Sequence, residues 1–399
     1  MNGSPPKDEG LAIGWRLSSV SGWGVYGLNL TLRLLAEGRD PVLLLGPHRL
    51  SVGQEEEKLL TPLFQRQSHL QEILSKGTVV DLDIPVLHAL RSDFQPGLAS
   101  QAIRGRKNIG IIFFEDTDFS GEGLARAAEY GLIVTGSTWN AQILAERGVK
   151  NVVNVFQGID EHLFRPAEQA QELYPGRFVI FSGGKLEYRK GQDVVIRAFR
   201  EFHRRHPEAL LIFAWANQWP AIMPTIARSE YVEGAPEIDA GKTLKISPWL
   251  EANGLEPESF VDLGMPANRE MQAYLNASQA AIFPNRCEPG TNLVAMECLA
   301  AGLPTILAAN TGQLDLIGEG NCYPLLDQTP MEPYAPYTGV EGWREPSVEE
   351  CLAALEEIFA DPDAARQRGR AAAAFMEEGF TWKSQIRKLI SAIDGLKVA

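Results

Sequence analysis

Short apolar runs alternate with stretches of helical spacing along most of the chain. "GLAIGWRL" (10–17) predicts a strand and "SSVSGWG" (18–24) a loop. "VYGLNLTLRLLAEG" (25–38) predicts a helix with Leu28, Leu32 and Leu35 on one face. "DPVLLLG" (40–46) follows as a short buried strand. Strand, glycine loop, helix and strand make one βαβ unit, which implies a parallel sheet. "NIGIIFFED" (108–116), "LIVTGS" (132–137) and "NVVNVFQG" (151–158) predict further strands. Between them "GLARAAEYG" and "TWNAQILAERG" (138–148) predict helices, the second capped by Ser137 or Thr138 and stopped at Gly148.

Residues 158–176 lose this periodicity and carry Pro, Gly and charge, as a linker does. A second alternating series starts at "RFVIFSGG" (177–184). It runs through a helix at "DVVIRAFREFHRRHP", a strand at "EALLIFAWA" and a helix at "REMQAYLNAS". A strand "QAAIFP" (279–284), a helix over 292–301 capped by Thr291 or Asn292, and a strand "PTILAAN" (304–310) close the series. Segment 217–258 shows no readable period. The expected fold is α/β, with two parallel-sheet domains facing a central crevice. The expected limits are 1–165 and 166–378, with 379–399 as a closing helix.

Composition narrows the function classes. The 399-residue chain is 45% hydrophobic and 22% charged, enough for a core in each domain. Its net charge of −14 argues against non-specific nucleic-acid binding. No apolar run reaches the ~18 residues of a membrane span, and "MNGSPPKDEG" lacks the apolar core of a signal peptide. Cys287, Cys298, Cys322 and Cys351 fit no zinc spacing and read as reduced thiols, so the expected location is cytoplasmic.

Three segments carry candidate chemistry. "GWGVYG", from Gly22 to Gly27, matches G-x-G-x-x-G between a strand and a helix. A nicotinamide or flavin site would need an acidic residue at the end of the next strand, and "LLLGPHRL" has none, although Arg49 could serve a 2′-phosphate. Another phosphate-bearing ligand, or close packing alone, also explains Gly22 and Gly24. "FSGGKLEYRKG" places Gly184 and the cations Lys185, Arg189 and Lys190 at the end of a strand, where they suit a diphosphate. "EPGTNLVAMECLAAGLPTI" sets Glu288 and Glu297 on either side of a turn that leads into a helix. The Thr291, Asn292 and Leu293 amides of that turn, beside Gly290, would meet phosphate, and the carboxylates would meet sugar hydroxyls.

The pair "GGKLEYRKGQD" and "EPGTNLVAMECLAAGLPTI" resembles the nucleotide-sugar glycosyltransferases of family 4, the glycosyl transferases group 1. The order of the segments agrees over nearly the whole chain, down to "FTWKSQIRKLISAI" (380–393), which looks like the family's final helix. The resemblance implies a GT-B architecture of two Rossmann-like domains. It implies retaining transfer from a nucleotide-sugar donor, with no metal or other cofactor. Lys185 and Lys190 would meet the donor diphosphate, Glu288 the sugar and Glu297 the ribose. Gly22 and Gly24 would face phosphate or acceptor. The acceptor is left open among glycans, lipid-linked chains and small molecules.

This chain departs from the family pattern in places. Eight residues separate Glu288 from Glu297, where the family often has seven. Glu115 stands near the position of a common family histidine, and His88 is the nearest histidine. Asp81-Leu-Asp83 and Asp116-Thr-Asp118 match a metal motif of another transferase fold and are expected to be structural. "RAFREFHRRH" (197–206) is a candidate peripheral membrane contact or a solvated helix face. The altered histidine position also leaves open a relative that binds sugar nucleotides without turnover.

Overall fold

Two six-stranded parallel sheets carry the chain. This computed structural model describes residues 10–74, 79–97, 100–167, 173–217, 219, 221–241 and 243–396. The first sheet holds β1 (Leu11–Ile13), β2 (Pro41–Leu43), β3 (Val80–Ala89), β4 (Ile103–Ile112), β5 (Leu132–Thr135) and β6 (Val152–Asn154), in the order β2-β1-β3-β4-β5-β6. Helices α1 (Gly22–Ala36), α2 (Gln54–Leu74), α3 (Gly121–Ala127) and α4 (Thr138–Glu146) connect these strands.

The second sheet holds β7 (Phe178–Gly183) and β8 (Ala209–Ala214), joined by α5 (Gln192–Arg205). A small hairpin, β9 (Glu237–Ile238) and β10 (Leu244–Lys245), and α6 (Ile246–Ala252) precede β11 (Phe260–Asp262) and α7 (Asn268–Asn276). Then come β12 (Ala280–Phe283), α8 (Leu293–Ala300), β13 (Thr305–Ala308) and β14 (Tyr323–Leu325). The sheet order is β11-β8-β7-β12-β13-β14. A second hairpin, β15 (Gln328–Pro330) and β16 (Arg344–Pro346), leads to α9 (Val348–Ala360), α10 (Pro362–Gly379) and α11 (Trp382–Asp394).

Strands covered by helices on both faces are apolar on both. In β7, "FVIFSG", every residue after Phe178 is buried. Chain order reverses between β1 and β3 in one sheet and between β7 and β12 in the other. At such switch points the loops part and leave a crevice at the carboxyl ends of the strands. The segments "SSVSGWG", "GGKLEYRKG" and "EPGTN" all leave strands there.

The last helix returns to the first domain. Thr381 caps α11 by accepting from the Ser384 amide at 3.1 Å. Trp382 stacks on Tyr26 of α1 with ring centres 5.5 Å apart, and Arg39 pairs with Asp394 at 2.5 Å. Ile159, at the start of the linker, exchanges backbone hydrogen bonds with Phe380 and Trp382 at 2.8 and 3.0 Å. Linker residues 168–172 lie outside the described residues.

Several elements differ from the sequence pattern. The first strand shrinks to three residues, and the glycine motif falls inside α1, whose cap is Ser21. Helix α2 carries only a narrow apolar stripe, with Leu60 and Leu63 buried and most other positions exposed, so its periodicity is faint. The outer half of β3 alternates with solvent-facing charge. Segment 217–258 holds helical pieces of two turns or fewer, too short to show a period, although Ile226, Trp249 and Leu250 are buried.

Candidate active site in the cleft between the sheets

A cavity of about 400 Å³ lies between the carboxyl ends of the two sheets. Residues 19–23, Phe113, Glu115 and Gln157 line it from the first domain. Gly184, Lys185, Arg189, Lys190, Trp219 and much of 288–297 line it from the second.

The basic wall is built where β7 ends. Gly184 turns the chain with φ +118°. A 3-10 turn over Tyr188–Lys190 then presents the cations. The Lys190 ammonium donates to Glu288 Oε1, which also accepts from the Asn285 side-chain amide. Burial pushes the Lys190 ammonium below its ordinary lysine value, against the pull of Glu288. Lys185 Nζ lies 3.4 Å from Glu187 Oε1 and 5.2 Å from the centre of the Trp219 ring.

Arg189 is 1% exposed and sits among three carboxylates: Glu187 at 2.5 Å, Glu115 at 3.2 Å and Glu288 at 3.9 Å. Its other arm donates to the Cys287 carbonyl at 2.7 Å. Burial alone would raise Glu187, but Arg189, Lys185 and Lys190 hold its carboxyl below the ordinary value. Glu115 comes from the first domain, so this guanidinium joins the two walls of the cleft.

The glutamate turn is anchored from behind. Arg286 makes a two-pronged pair with Asp193 at 2.7 Å and another with Glu345 at 2.5 and 2.6 Å. The Glu288 amide donates to Thr311 Oγ1 at 2.8 Å, and the Gly312 amide donates to the Glu288 carbonyl at 3.0 Å. A Cβ on Gly312 would fall 1.8 Å from the Gly290 carbonyl oxygen, so this approach needs glycine.

Asn292, in the left-handed region at φ 65°, caps α8 and accepts from the Ala295 amide at 3.4 Å. Its side-chain nitrogen, Nδ2, is buried without a hydrogen-bond partner among the described residues, in a residue that lines the cavity. The first amides of α8 are those of Leu293 and Val294, which also line the cavity. Thr291 precedes the helix, and its hydroxyl points into the interior against the Met296 sulfur at 2.8 Å. Thr291 is not among the lining residues, whereas Asn292, Leu293 and Val294 are, because Asn292 rather than Thr291 caps the helix.

Glu297 is 4% exposed and accepts from the Asn268 side-chain amide at 2.5 Å. Burial pushes its carboxyl up to about 8, which the Asn268 hydrogen bond only partly opposes. The Asn268 backbone N–H donates to the Ser19 carbonyl of the first domain at 2.7 Å.

The glycine motif divides. Gly22 lines the cavity, whereas Gly24 does not. A Cβ on Gly24 would lie 2.2 Å from that of Ser18, so this glycine serves the close approach of α1 to the loop before it. His88 lies off the lining, with Nε2 donating to Asn108 Oδ1 at 3.0 Å and Nδ1 buried without a partner. Burial pushes its imidazole below the ordinary value. Asp116 accepts from the Thr338 and Gly339 amides at 3.0 and 2.7 Å, and so clasps the domains. Asp83 lies 4.0 Å from Arg106. Among the described residues no group of three His, Cys, Asp or Glu side chains is placed to hold a metal ion.

On α5 and at its cap His206, Arg197 and Arg204 pair with Glu201, and Arg205 and His206 pair with Glu356, so much of the basic run is paired with carboxylates. Among the described residues no helix is long and apolar enough to cross a membrane.

The sequence reading passed over Asn268, Asn285, Val294 and Trp219. Asn268 and Trp219 gave no motif signal. Asn285 stands three residues before Glu288, and that spacing could have marked it.

The family model for glycosyl transferases group 1 matches residues 164–374. The chain belongs to this family. The matched stretch holds Lys185, Lys190, Glu288 and Glu297, whereas the first-domain wall lies before it. A GDP-mannose-dependent alpha-(1-6)-phosphatidylinositol monomannoside mannosyltransferase of Mycolicibacterium smegmatis is 21% identical over 254 residues, 61% of this chain and 56% of that protein. The chain thus spans just over half the length of this curated relative.

Solved structures agree over nearly the full length. Sucrose-phosphate synthase of Thermosynechococcus elongatus gives a TM-score of 0.66 at 15% identity, covering 98% of this chain and 99% of that one. HepE of Anabaena, in complex with UDP and glucose, gives 0.65 at 14% identity, covering 98% and 100%. Alpha,alpha-trehalose 6-phosphate synthase of Burkholderia multivorans gives 0.61 at 12%, covering 96% and 98%. Together with the two parallel sheets, these likenesses establish the GT-B architecture. Family membership favours glycosyl transfer over the nicotinamide reading of "GWGVYG".

Proposed function

We propose that the chain is a retaining glycosyltransferase of family 4 that moves a hexosyl or related group from a nucleotide-diphosphate donor to an acceptor hydroxyl. One observation carries the reading. The cleft brings Lys185, Lys190, Glu288, Glu297 and the start of α8, with the unpartnered Asn292 amide, around a single cavity. Buried polar groups without partners are costly, and a diphosphate at a helix start would satisfy this one. The names of the relatives agree, since one is GDP-mannose-dependent and HepE is known with UDP and glucose.

In this reading residues 1–165 carry the acceptor side, 166–378 the donor, and 379–399 the return to the first domain. The diphosphate lies against Lys185, Lys190 and the Asn292, Leu293 and Val294 end of α8. Gly184 and Gly290 let it approach the backbone, and Gly22 faces it across the cleft. Glu297 takes the ribose hydroxyls and Glu288 the sugar.

The reacting bond is the one from the anomeric carbon to the β-phosphate oxygen. It breaks with its electron pair on the nucleoside diphosphate, and the acceptor oxygen bonds to the same face of that carbon. The acceptor proton passes to the departing phosphate oxygen. The lysines and the helix start stabilise the charge that develops there, a task assigned to the chain rather than to a metal. Lys185 supplies charge without the fork of an arginine. Glu115, held by Arg189, borders the reacting centre. The reaction is placed in the cytoplasm, consistent with four free, buried cysteines.

The test is turnover. Each of a set of UDP-, GDP- and ADP-sugars is incubated with the protein, and release of nucleoside diphosphate is followed. Hydrolysis or transfer of one donor, with the product anomer retained by NMR, supports the proposal. A donor that binds tightly and is never cleaved would instead identify a sugar-nucleotide-binding relative without activity.

A further inference from the structure

A second cavity of about 310 Å³ opens beside the first and shares Ser21, Trp23 and Trp219 with it. Its size falls in the ~300–1,000 Å³ range of small-molecule sites. It lies at the carboxyl ends of β1, β2 and β3, on the first-domain side.

Two features set its chemistry. Three of the chain's eight tryptophans, Trp15, Trp23 and Trp219, line this one space. Trp15 and Trp23 meet edge to face at 5.4 Å, which fixes both rings as a corner. Trp219 is 49% exposed, so its ring stays open to contact. Sugar rings offer apolar C–H faces to such platforms while their hydroxyls stay at the rim. The second feature is charge. The lining includes Arg16 and His48 and no carboxylate, in a chain of net charge −14. Arg16 is exposed, donates one N–H to the Gly46 carbonyl at 3.1 Å, and has no ion-pair partner among the described residues.

Trp219 joins the two cavities. Lys185, on the proposed diphosphate wall, lies over its ring at 5.2 Å. A ligand in the second cavity therefore abuts the donor site at the wall they share.

We infer that this second cavity receives the acceptor, and that the acceptor is a saccharide carrying an anionic group such as a phosphate or a carboxylate. The sugar ring lies against the tryptophans and the anion meets the Arg16 guanidinium. This rests on the transferase reading above and adds the acceptor's class to it. A guanidinium suits either anion, because its fork matches carboxylate and phosphate oxygens alike.

The experiment separates the two readings. The protein is titrated by calorimetry first with UDP, GDP and ADP. It is then titrated, in the presence of whichever binds, with saccharides that differ in charge: glucose, glucose phosphate and glucuronate, and mannose with mannose phosphate. The inference expects at least one charged sugar to bind tenfold or more tightly than its neutral counterpart. Arg16→Ala should abolish that preference while nucleotide affinity stays unchanged. Trp219→Ala should weaken charged and neutral sugars together. Nucleotide binding with equal affinity for charged and neutral sugars, or with none for any of them, overturns the inference and leaves the donor reading standing. So does a charge preference that survives in Arg16→Ala. If no nucleotide binds and a charged sugar still does through Arg16, the donor reading fails and this cavity's preference stands.

Discussion

Asn268 donates its side-chain amide to the buried Glu297 carboxyl at 2.5 Å, and its backbone N–H reaches the Ser19 carbonyl across the cleft at 2.7 Å. The group proposed to hold the ribose is therefore tied to the contact that closes the two domains.

The pH dependence of stability follows from this burial. The Glu297 carboxyl is raised from 4.5 to about 8 in the folded chain. A raised value means the native state holds the proton more tightly than the unfolded chain does. The resulting stability is fully present below about 4.5 and is lost as pH rises through about 8. In Glu297→Gln this loss should disappear, a difference on the order of 5 kcal/mol across the window. Denaturant unfolding of both proteins between those limits checks it, and parallel curves would contradict it.

Donor binding should release a proton near neutral pH. Ribose hydroxyls that donate to Glu297 favour its ionised form, so binding lowers a value that stands at about 8. Calorimetry in two buffers of different ionisation enthalpy measures the release. Glu297→Gln should bind without it, and an unchanged release in that variant would place the proton elsewhere.

The Lys190–Glu288 pair can be split into stability and binding. Lys190→Met leaves the buried Glu288 carboxylate with the Asn285 amide and the more distant Arg189, at 3.9 Å, and should cost up to about 3 kcal/mol. Adding Glu288→Gln should recover part of that, with a coupling of about 1–3 kcal/mol in a double-mutant cycle. Donor affinity should stay at least tenfold weaker in the double variant, because the cation is still missing. Recovery of affinity along with stability would show that Lys190 acts on the fold alone.

Gly312→Ala tests the shape of the turn. Its Cβ would meet the Gly290 carbonyl, which belongs to the stretch that carries Glu288. Overpacking of this kind costs roughly 1–3 kcal/mol. The variant should show both a lowered melting temperature and weakened donor binding. Normal affinity would mean that the turn can shift without disturbing the cradle.

Much of the architecture was legible because buried parallel strands read as unbroken apolar runs, as in "FVIFSG", and because caps such as Ser137 and Asn292 mark helix starts. The cations and Glu288 were legible because they follow strand ends, and Glu297 because it stands in the helix after the same turn. The faint elements were those that bury little: α2 packs a narrow stripe, and segment 217–258 turns too often to show a period. Local sequence also could not separate Gly22 from Gly24. One lines the cavity and the other meets Ser18, and only the angle between α1 and the preceding loop decides which. Asn268 was invisible for a similar reason. Its partners, Glu297 and Ser19, come from distant parts of the chain and meet only when the domains do.

The most direct test of the donor cradle is calorimetric titration of UDP-, GDP- and ADP-sugars into the wild type, Lys190→Ala and Glu297→Ala. The account predicts that one donor class binds the wild type and binds each variant at least about tenfold more weakly, roughly 1.4 kcal/mol. Equal affinity in all three proteins would contradict it.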